Sequence, residues 1–161
     1  MLTFSKLREI LWYDFETGKF KRRVTIGKAR AESTADILGK RGYYYINIDG
    51  KRYYSHRLVW FYVTGEWPAG QIDHINLNKT DNRIINLREA THQQNQYNVS
   101  LQRNNTSGFK GVNFNNVKRK WMARIAKNGK RVHLGYFDCK AAACLAYIVA
   151  ADKFHGEFAR V

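Results

Sequence analysis

Asp73 and His74 lie side by side in a short apolar run, Ile72-Asp73-His74-Ile75, with Asn86 twelve residues beyond the histidine and Asn95 nine beyond that. A carboxylate, an imidazole and two amides gathered in this way are the parts of a one-metal site for cutting phosphodiesters. Such a reaction needs a nucleophilic water, charge relief at the phosphate and help for the leaving oxygen. A neutral imidazole with a pKa near its ordinary value of ~6.5 is a good base for that water at neutral pH. A hard divalent ion held by oxygen ligands relieves the charge. Asp73 offers a carboxylate oxygen and Asn95 an amide oxygen, both suited to Mg²⁺ or Mn²⁺. The residues alone leave a plainer reading open, in which Asp-His and an Asn-rich loop serve only turn chemistry. Neighbours on a strand point to opposite faces, so a bend or bulge is needed to bring Asp73 and His74 to one edge.

The elements that must position these groups are short. Pro68-Ala69-Gly70 turns the chain into a strand, Gln71 to Ile75; a polar loop spans Asn76 to Arg83; Ile84 to Arg88 reads as a second strand. Thr91 with Gln94 three residues later is a capping-box pattern, and the helix it starts carries Asn95. Upstream, residues 1–55 read as short strands joined by turns, among them Tyr43 to Ile48 and Lys51 to Tyr54 around an Asp49-Gly50 hairpin turn. Ser55 is the expected cap of a helix from His56 to Thr64, stopped by Gly65. His56 fits either a place near the site or a capping and packing role. Lys21, Arg22 and Arg23, with Lys28 and Arg30 behind them, are either phosphate contacts or a solvated face.

Asn95 to Thr106 lacks apolar periodicity and reads as a helix tail and linker. Beyond it the composition changes. Gly108 to Phe114, Lys120 to Lys127 and Lys130 to Leu134 look like strands, the last two joined by an Asn128-Gly129 turn, with Gly135 to Phe137 ending the sheet. Alternation puts Trp121, Ala123, Ile125, Val132 and Leu134 on one face, and Met122, Arg124, Arg131 and His133 on the other. Asp138 can cap a helix to about Phe154, in which Ala142, Ala146 and Ala150 form a smooth stripe for close packing on the sheet.

The charge balance names a partner class. Of 161 residues, 28 are Lys or Arg and 13 Asp or Glu, a net charge of +15. Residues 1–100 carry 16 basic and 10 acidic side chains, residues 101–161 carry 12 and 3, so the shorter part is the denser in positive charge. A polyanion is the expected partner. No apolar run approaches the ~18 residues of a membrane span, and the polar opening Met1 to Lys6 is not a signal peptide. Cys139 and Cys144 form neither a disulfide framework nor a metal knuckle. The expected location is intracellular, the host cytoplasm if the protein is phage-encoded.

Four segments together, His56-Arg57-Leu58-Val59, Ile72-Asp73-His74-Ile75-Asn76, Asp81-Asn82-Arg83-Ile84-Ile85-Asn86-Leu87-Arg88 and Thr91-x-x-x-Asn95, resemble the HNH endonuclease family, in its phage and intron-associated homing branch without structural zinc. The resemblance covers roughly residues 1–100 and implies a ββα-metal fold over about 68–100. It implies His74 as general base, Asp73 and Asn95 as ligands of a single divalent ion, and Asn86 as the residue that holds the loop and orients His74. Asparagine at position 95, where the family often has histidine, is shared with nicking-type members.

The C-terminal part resembles an AP2 DNA-binding domain through Gly108-Phe109-Lys110-Gly111-Val112, Trp121-x-Ala123-x-Ile125, Gly129-Lys130, Leu134-Gly135-x-Phe137, Ala142-x-x-x-Ala146-Tyr147 and Gly156-Glu157-Phe158-Ala159. That resemblance implies major-groove contacts from the open sheet face: Lys110, Asn113, Asn115, Arg124, Arg131 and His133. Ala126, Asn113 and Asn115 stand where the plant transcription factors with AP2 domains usually place arginine, so no target sequence carries over.

The expectation is therefore an α+β chain: a ββα-metal nuclease domain over 1–100, a linker at 101–107, and a three-stranded antiparallel sheet with one helix over 108–161. It would cut double-stranded DNA with one Mg²⁺ or Mn²⁺, as a monomer, without a small-molecule cofactor and away from membranes. A DNA-binding regulator that no longer cuts is the alternative, and a binder of structured RNA a weaker one.

Overall fold

The structure, a computed structural model, describes residues 2–25 and 27–161. Met1, the first residue of the expected nuclease domain, and Ile26 lie outside them. The chain forms two compact units, Met1–Ala90 and Thr91–Val161.

The first unit opens on a helix, α1 (Phe4–Ile10), where only strands were expected. Thr3 caps it, its hydroxyl accepting from the Lys6 amide, and Leu7 and Ile10 point inward. The apolar run Ile10-Leu11-Trp12-Tyr13 crosses from helix to strand without a break, which hides the boundary in the sequence. Strands β1 (Leu11–Asp14) and β2 (Lys19–Arg22) then form a hairpin. The Asp14 carboxylate accepts from the amides of Glu16 and Thr17 in its turn. Strands β3 (Ile37–Leu38), β4 (Tyr44–Ile48) and β5 (Lys51–Tyr54) make an antiparallel sheet, with Asp49 and Gly50 both at positive φ in the expected hairpin turn.

β5 runs straight into helix α2 (Ser55–Thr64), which ends at Gly65 in the left-handed conformation. With no loop between them, Tyr54 occupies the cap position without a side-chain bond. Ser55 is the first helical residue and fully buried, rather than the cap. Leu58, Val59, Phe61 and Tyr62 pack against Leu7, Tyr13, Phe20 and Ile72 in the core. The basic cluster is partly absorbed by the fold: Arg22 bonds the Thr34 carbonyl and Arg23 the Leu11 carbonyl.

The last pair of this unit is β6 (Gln71–His74) against β7 (Leu87–Ala90). Ile84–Asn86, expected to begin the second strand, is a 3₁₀ turn instead. The chain needs that turn to bring Asn86 back under the loop that follows β6. Register is regular from Gln71 opposite Ala90 to His74 opposite Leu87, with no bulge at Asp73-His74.

Gly18 locks the N-terminal hairpin to this loop. Its φ is +70°, and a Cβ there would run into the backbone of Asn82 and Arg83. Gly18→Ala should cost roughly 2–5 kcal/mol, from a left-handed non-glycine residue plus steric overlap. Urea unfolding checks it: a lower midpoint with an unchanged slope is expected.

In the second unit, α3 (His92–Tyr97) starts at the expected capping box, Thr91 accepting from the Gln94 amide while the Gln94 side chain accepts from Thr91. Strands β8 (Val112–Asn115), β9 (Lys120–Lys127) and β10 (Lys130–Phe137) form an antiparallel sheet in the order β10-β9-β8. β8 starts later than expected. β10 continues through Gly135 to Phe137, because an irregularity between His133 and Gly135 lets the strand resume pairing.

Helix α4 (Lys140–His155) covers the apolar face. Its cap is Cys139, whose sulfur accepts from the Ala142 amide; Asp138 is an exposed partner of Lys120 at 3.0 Å. Ala143, Tyr147, Ala150 and Ala151 are the buried stripe, and Ala142 and Ala146 lie at its flank. A strict four-residue repeat drifts round a helix of 3.6 residues per turn, so it cannot stay on the packed face. Both cysteines are unpaired.

Candidate active site

His74 ends β6 and is 5% exposed; Asp73 beside it is 4% exposed. Arg88, directly opposite Asp73 on β7, grips one carboxylate oxygen with Nε at 2.9 Å and Nη2 at 2.8 Å. Two charge-assisted donors on one oxygen hold that oxygen in place. Neither composition nor spacing singled out Arg88, yet strand register makes it the cross-strand neighbour.

The polar loop after β6 is tied together by its own amides. Asn86 Oδ1 accepts from the Asn76 amide at 3.0 Å, and its Nδ2 donates to the Asp81 carbonyl at 2.8 Å. The Ile75 amide bonds the Asn86 carbonyl at 2.9 Å. Asp81 in turn accepts from Asn76 and from Arg83, whose guanidinium is the main cause holding the Asp81 carboxyl down to about 2.

The side chain that meets the imidazole is Asn82. His74 Nε2–H donates to Asn82 Oδ1 at 2.9 Å, and Asn82 is 1% exposed. Sequence reasoning quoted Asn82 in the motif but assigned it no role; only the folded loop turns it inward.

Two aromatic layers close the other side. His56, in the first turn of α2, meets His74 edge-on with ring centres 5.3 Å apart and stacks on Tyr54. Tyr43 packs on both histidines, and the Lys79 ammonium lies over Tyr43. Burial pushes His56 down to about 3, and its Nδ1 has no hydrogen-bond partner among the described residues. Burial also holds His74 below the ordinary imidazole value, partly opposed by Asn82 and Asp73. Both rings are neutral at neutral pH, the state a base needs. Arg57, next to His56, donates to the carbonyls of Pro68 and Gly70 and so fixes the turn entering β6.

Asn95 lies mid-helix in α3, in the second unit. That helix is fastened within its unit: Tyr97 stacks on His155 with centres 3.6 Å apart, and His155 Nε2 bonds the Ala126 carbonyl of β9. The Gln93 amide meets the Asn128-Gly129 turn.

The open face of the β8-β9-β10 sheet carries Asn113, Arg124, Arg131 and His133, with His133 directly opposite Arg124. A cavity of about 390 Å³ brings Asn113, Arg124 and Arg131 together with the segment Gln96 to Thr106. Lys110 is placed otherwise: its half-buried ammonium donates to the carbonyls of Tyr97 and Val99, and burial lowers its pKa. The Asn115 amide oxygen accepts from the Lys118 amide in the β8-β9 turn. The irregularity at Leu134 also puts Tyr136 opposite Met122 on this face, beside His133 and under Lys118. Strict alternation missed Tyr136 for that reason.

The family described as HNH endonuclease matches residues 53–97, which contain His56, Asp73, His74, Asn82, Asn86 and Asn95. Protein 3.8 of Escherichia phage T7 is 31% identical over 106 residues, covering 65% of this chain and 87% of its own length. The chain carries an HNH endonuclease domain over residues 53–97. As an HNH endonuclease it is a DNA-cleaving enzyme. A protein described as an uncharacterized HNH endonuclease of Acanthamoeba polyphaga mimivirus is 34% identical over 124 residues, 76% of this chain and 63% of its own length. Among solved structures, a chain of the HNH homing endonuclease I-HmuI aligns with a TM-score of 0.46 at 20% identity, over 96% of this chain and 90% of that one.

Proposed function

We propose that this HNH endonuclease hydrolyses phosphodiester bonds in double-stranded DNA with His74 as general base and a single divalent ion, Mg²⁺ or Mn²⁺. The observation that carries the reading is a buried, neutral imidazole with one nitrogen already occupied by Asn82, beside a carboxylate held by Arg88. Asp73 and Asn95 are the proposed metal ligands. Their donor chemistry fits a hard ion: one carboxylate and one amide, with no group of three or more His, Cys, Asp or Glu among the described residues. So few protein oxygens suit an ion that keeps waters and completes its shell with a substrate phosphate. When bound, the ion would supply charge stabilisation at the phosphate. The chain's own part is to hold His74 against Asn82, to keep the loop closed through Asn86 and Asp81, and to pack the His74 ring against His56 and Tyr43.

The second unit is the proposed DNA-recognition module, of AP2 type. Its open face presents Arg124, Arg131 and His133 among the amides of Asn113 and Asn115, with Tyr136 added. Lys110 braces the Tyr97–Val99 segment instead of reaching outward. Arginines on a small sheet suit the width of the major groove. The motif resemblance supports a homing-type enzyme acting inside a host cell, and the named relatives come from viruses. No helix of the described residues is long and apolar enough to cross a membrane.

Supercoiled plasmid tests the reading. Nicked or linear product should form with Mg²⁺ or Mn²⁺ and vanish with EDTA. Binding without cleavage under either metal would favour the non-cleaving regulator.

A further inference from the structure

The loop between β6 and β7 contains a contact that the hydrolytic scheme leaves unexplained. A neutral imidazole carries one N–H, and an amide oxygen can only accept. His74 Nε2 faces Asn82 Oδ1 at 2.9 Å, with both side chains almost wholly buried. Water is therefore a poor competitor for that nitrogen, and the proton must sit there.

Asn82 is itself held from a distant part of the chain. Its carbonyl accepts from the Tyr13 hydroxyl at 2.9 Å, and the same hydroxyl accepts from the Ile84 amide at 2.9 Å. Tyr13 is 3% exposed, wedged among Phe15, Phe20 and Tyr62. The missing side chain of Gly18 lets the β1-β2 turn press against the Asn82–Arg83 backbone. Tyr13 and Gly18 thus both meet the peptide that follows the asparagine, from 69 and 64 residues away in sequence.

We infer that Asn82 is a positioning residue that selects the tautomer of His74, placing the proton on Nε2 so that Nδ1 is the nitrogen that takes a proton from water, and that Tyr13 holds Asn82 in place to do so. The inference rests on His74 being the base. In the step itself, the water proton moves to Nδ1 as the water oxygen bonds to phosphorus. The P–O bond to the leaving strand end breaks, and that oxygen departs with the bonding pair and takes a proton from solvent. Nε2–H stays bonded to Asn82 throughout. The ring becomes a cation whose second N–H is already satisfied, which is why an acceptor belongs at Nε2. A donor there would put the lone pair on the wrong nitrogen.

The test uses the full chain labelled with ¹⁵N-histidine, with His74 assigned by its absence from His74→Ala. Wild type should show the neutral Nε2–H form alone. Asn82→Ala should show a mixture of tautomers and lose roughly 10- to 100-fold in kcat, the range seen when a group orienting a histidine is removed, with KM for plasmid little changed. Asn82→Asp keeps an acceptor oxygen in the same place and should keep the Nε2–H form, which also covers the case in which the alanine variant fails to fold. Tyr13→Phe should lower kcat in the same direction while its Tm stays above the assay temperature. An Nδ1–H form in wild type, or an unchanged kcat in a folded Asn82→Ala, overturns the inference. Full activity in His74→Ala would instead sink the base assignment, and the tautomer spectrum still judges Asn82 on its own.

Discussion

A His74→Ala protein should cut plasmid about 10²- to 10⁴-fold more slowly than wild type, the range covered by removal of a general base. It should bind the same DNA as tightly as wild type. The size of the effect follows from placement: His74 is buried, neutral and held at Nε2, so no bulk water can stand in for it at the same position. Gel quantification of nicked and linear product under single-turnover conditions checks the rate, and filter binding in EDTA checks the affinity. The pH profile carries a sign as well. A base works when deprotonated, and burial lowers the pKa of His74 from 6.5. Cleavage should therefore rise with pH and reach its plateau earlier than an exposed histidine would allow. Equal rates in mutant and wild type would remove His74 from the chemistry.

The second large effect concerns recognition. Replacing Arg124 and Arg131 together by alanine should remove two cations from the open face of the β8-β9-β10 sheet. If each meets one phosphate, the slope of log K against log salt should fall by about 2, at ~0.9 per phosphate. Affinity at low salt should drop by one to several decades, since each phosphate contact is worth roughly a decade there. If either arginine instead reads a base, specificity relaxes at one position while the slope changes less. Divalent-ion binding should be the same in the double mutant, because neither arginine is a proposed ligand. A matching loss of metal affinity would argue against separate recognition and cutting roles. Lys110→Ala makes a useful contrast: with its ammonium bonded to Tyr97 and Val99, it should act on stability more than on salt dependence.

The reading of Lys110 shows where sequence and structure part. A lysine just before the first strand of a basic unit looks like a DNA contact from its type and place. Half-burial and two carbonyl partners redirect it inward. Asn82 is the opposite case: in sequence it is one more asparagine in an Asn-rich loop, and folding puts it against the imidazole. Tyr136 reached the open face through a strand irregularity that an alternation count cannot foresee. Helix α1 was hidden because its apolar residues merge with those of β1.

What the sequence determined by itself were the features set by local chemistry and spacing. These are the short strand that carries Asp73 and His74, the capping box at Thr91, the hairpin turns at Asp49-Gly50 and Asn128-Gly129, and the faces of β9. Each depends on residues within a few positions of one another, where backbone preferences and side-chain periodicity are strong enough to decide the outcome. Only the tertiary structure decided the partners of those groups: Arg88 on Asp73, Asn82 on His74, His56 beside the same ring, and Tyr13 behind Asn82. These are contacts between chain segments brought together by the burial of a shared core. That burial depends on the summed packing of many residues and leaves no mark at the positions it joins.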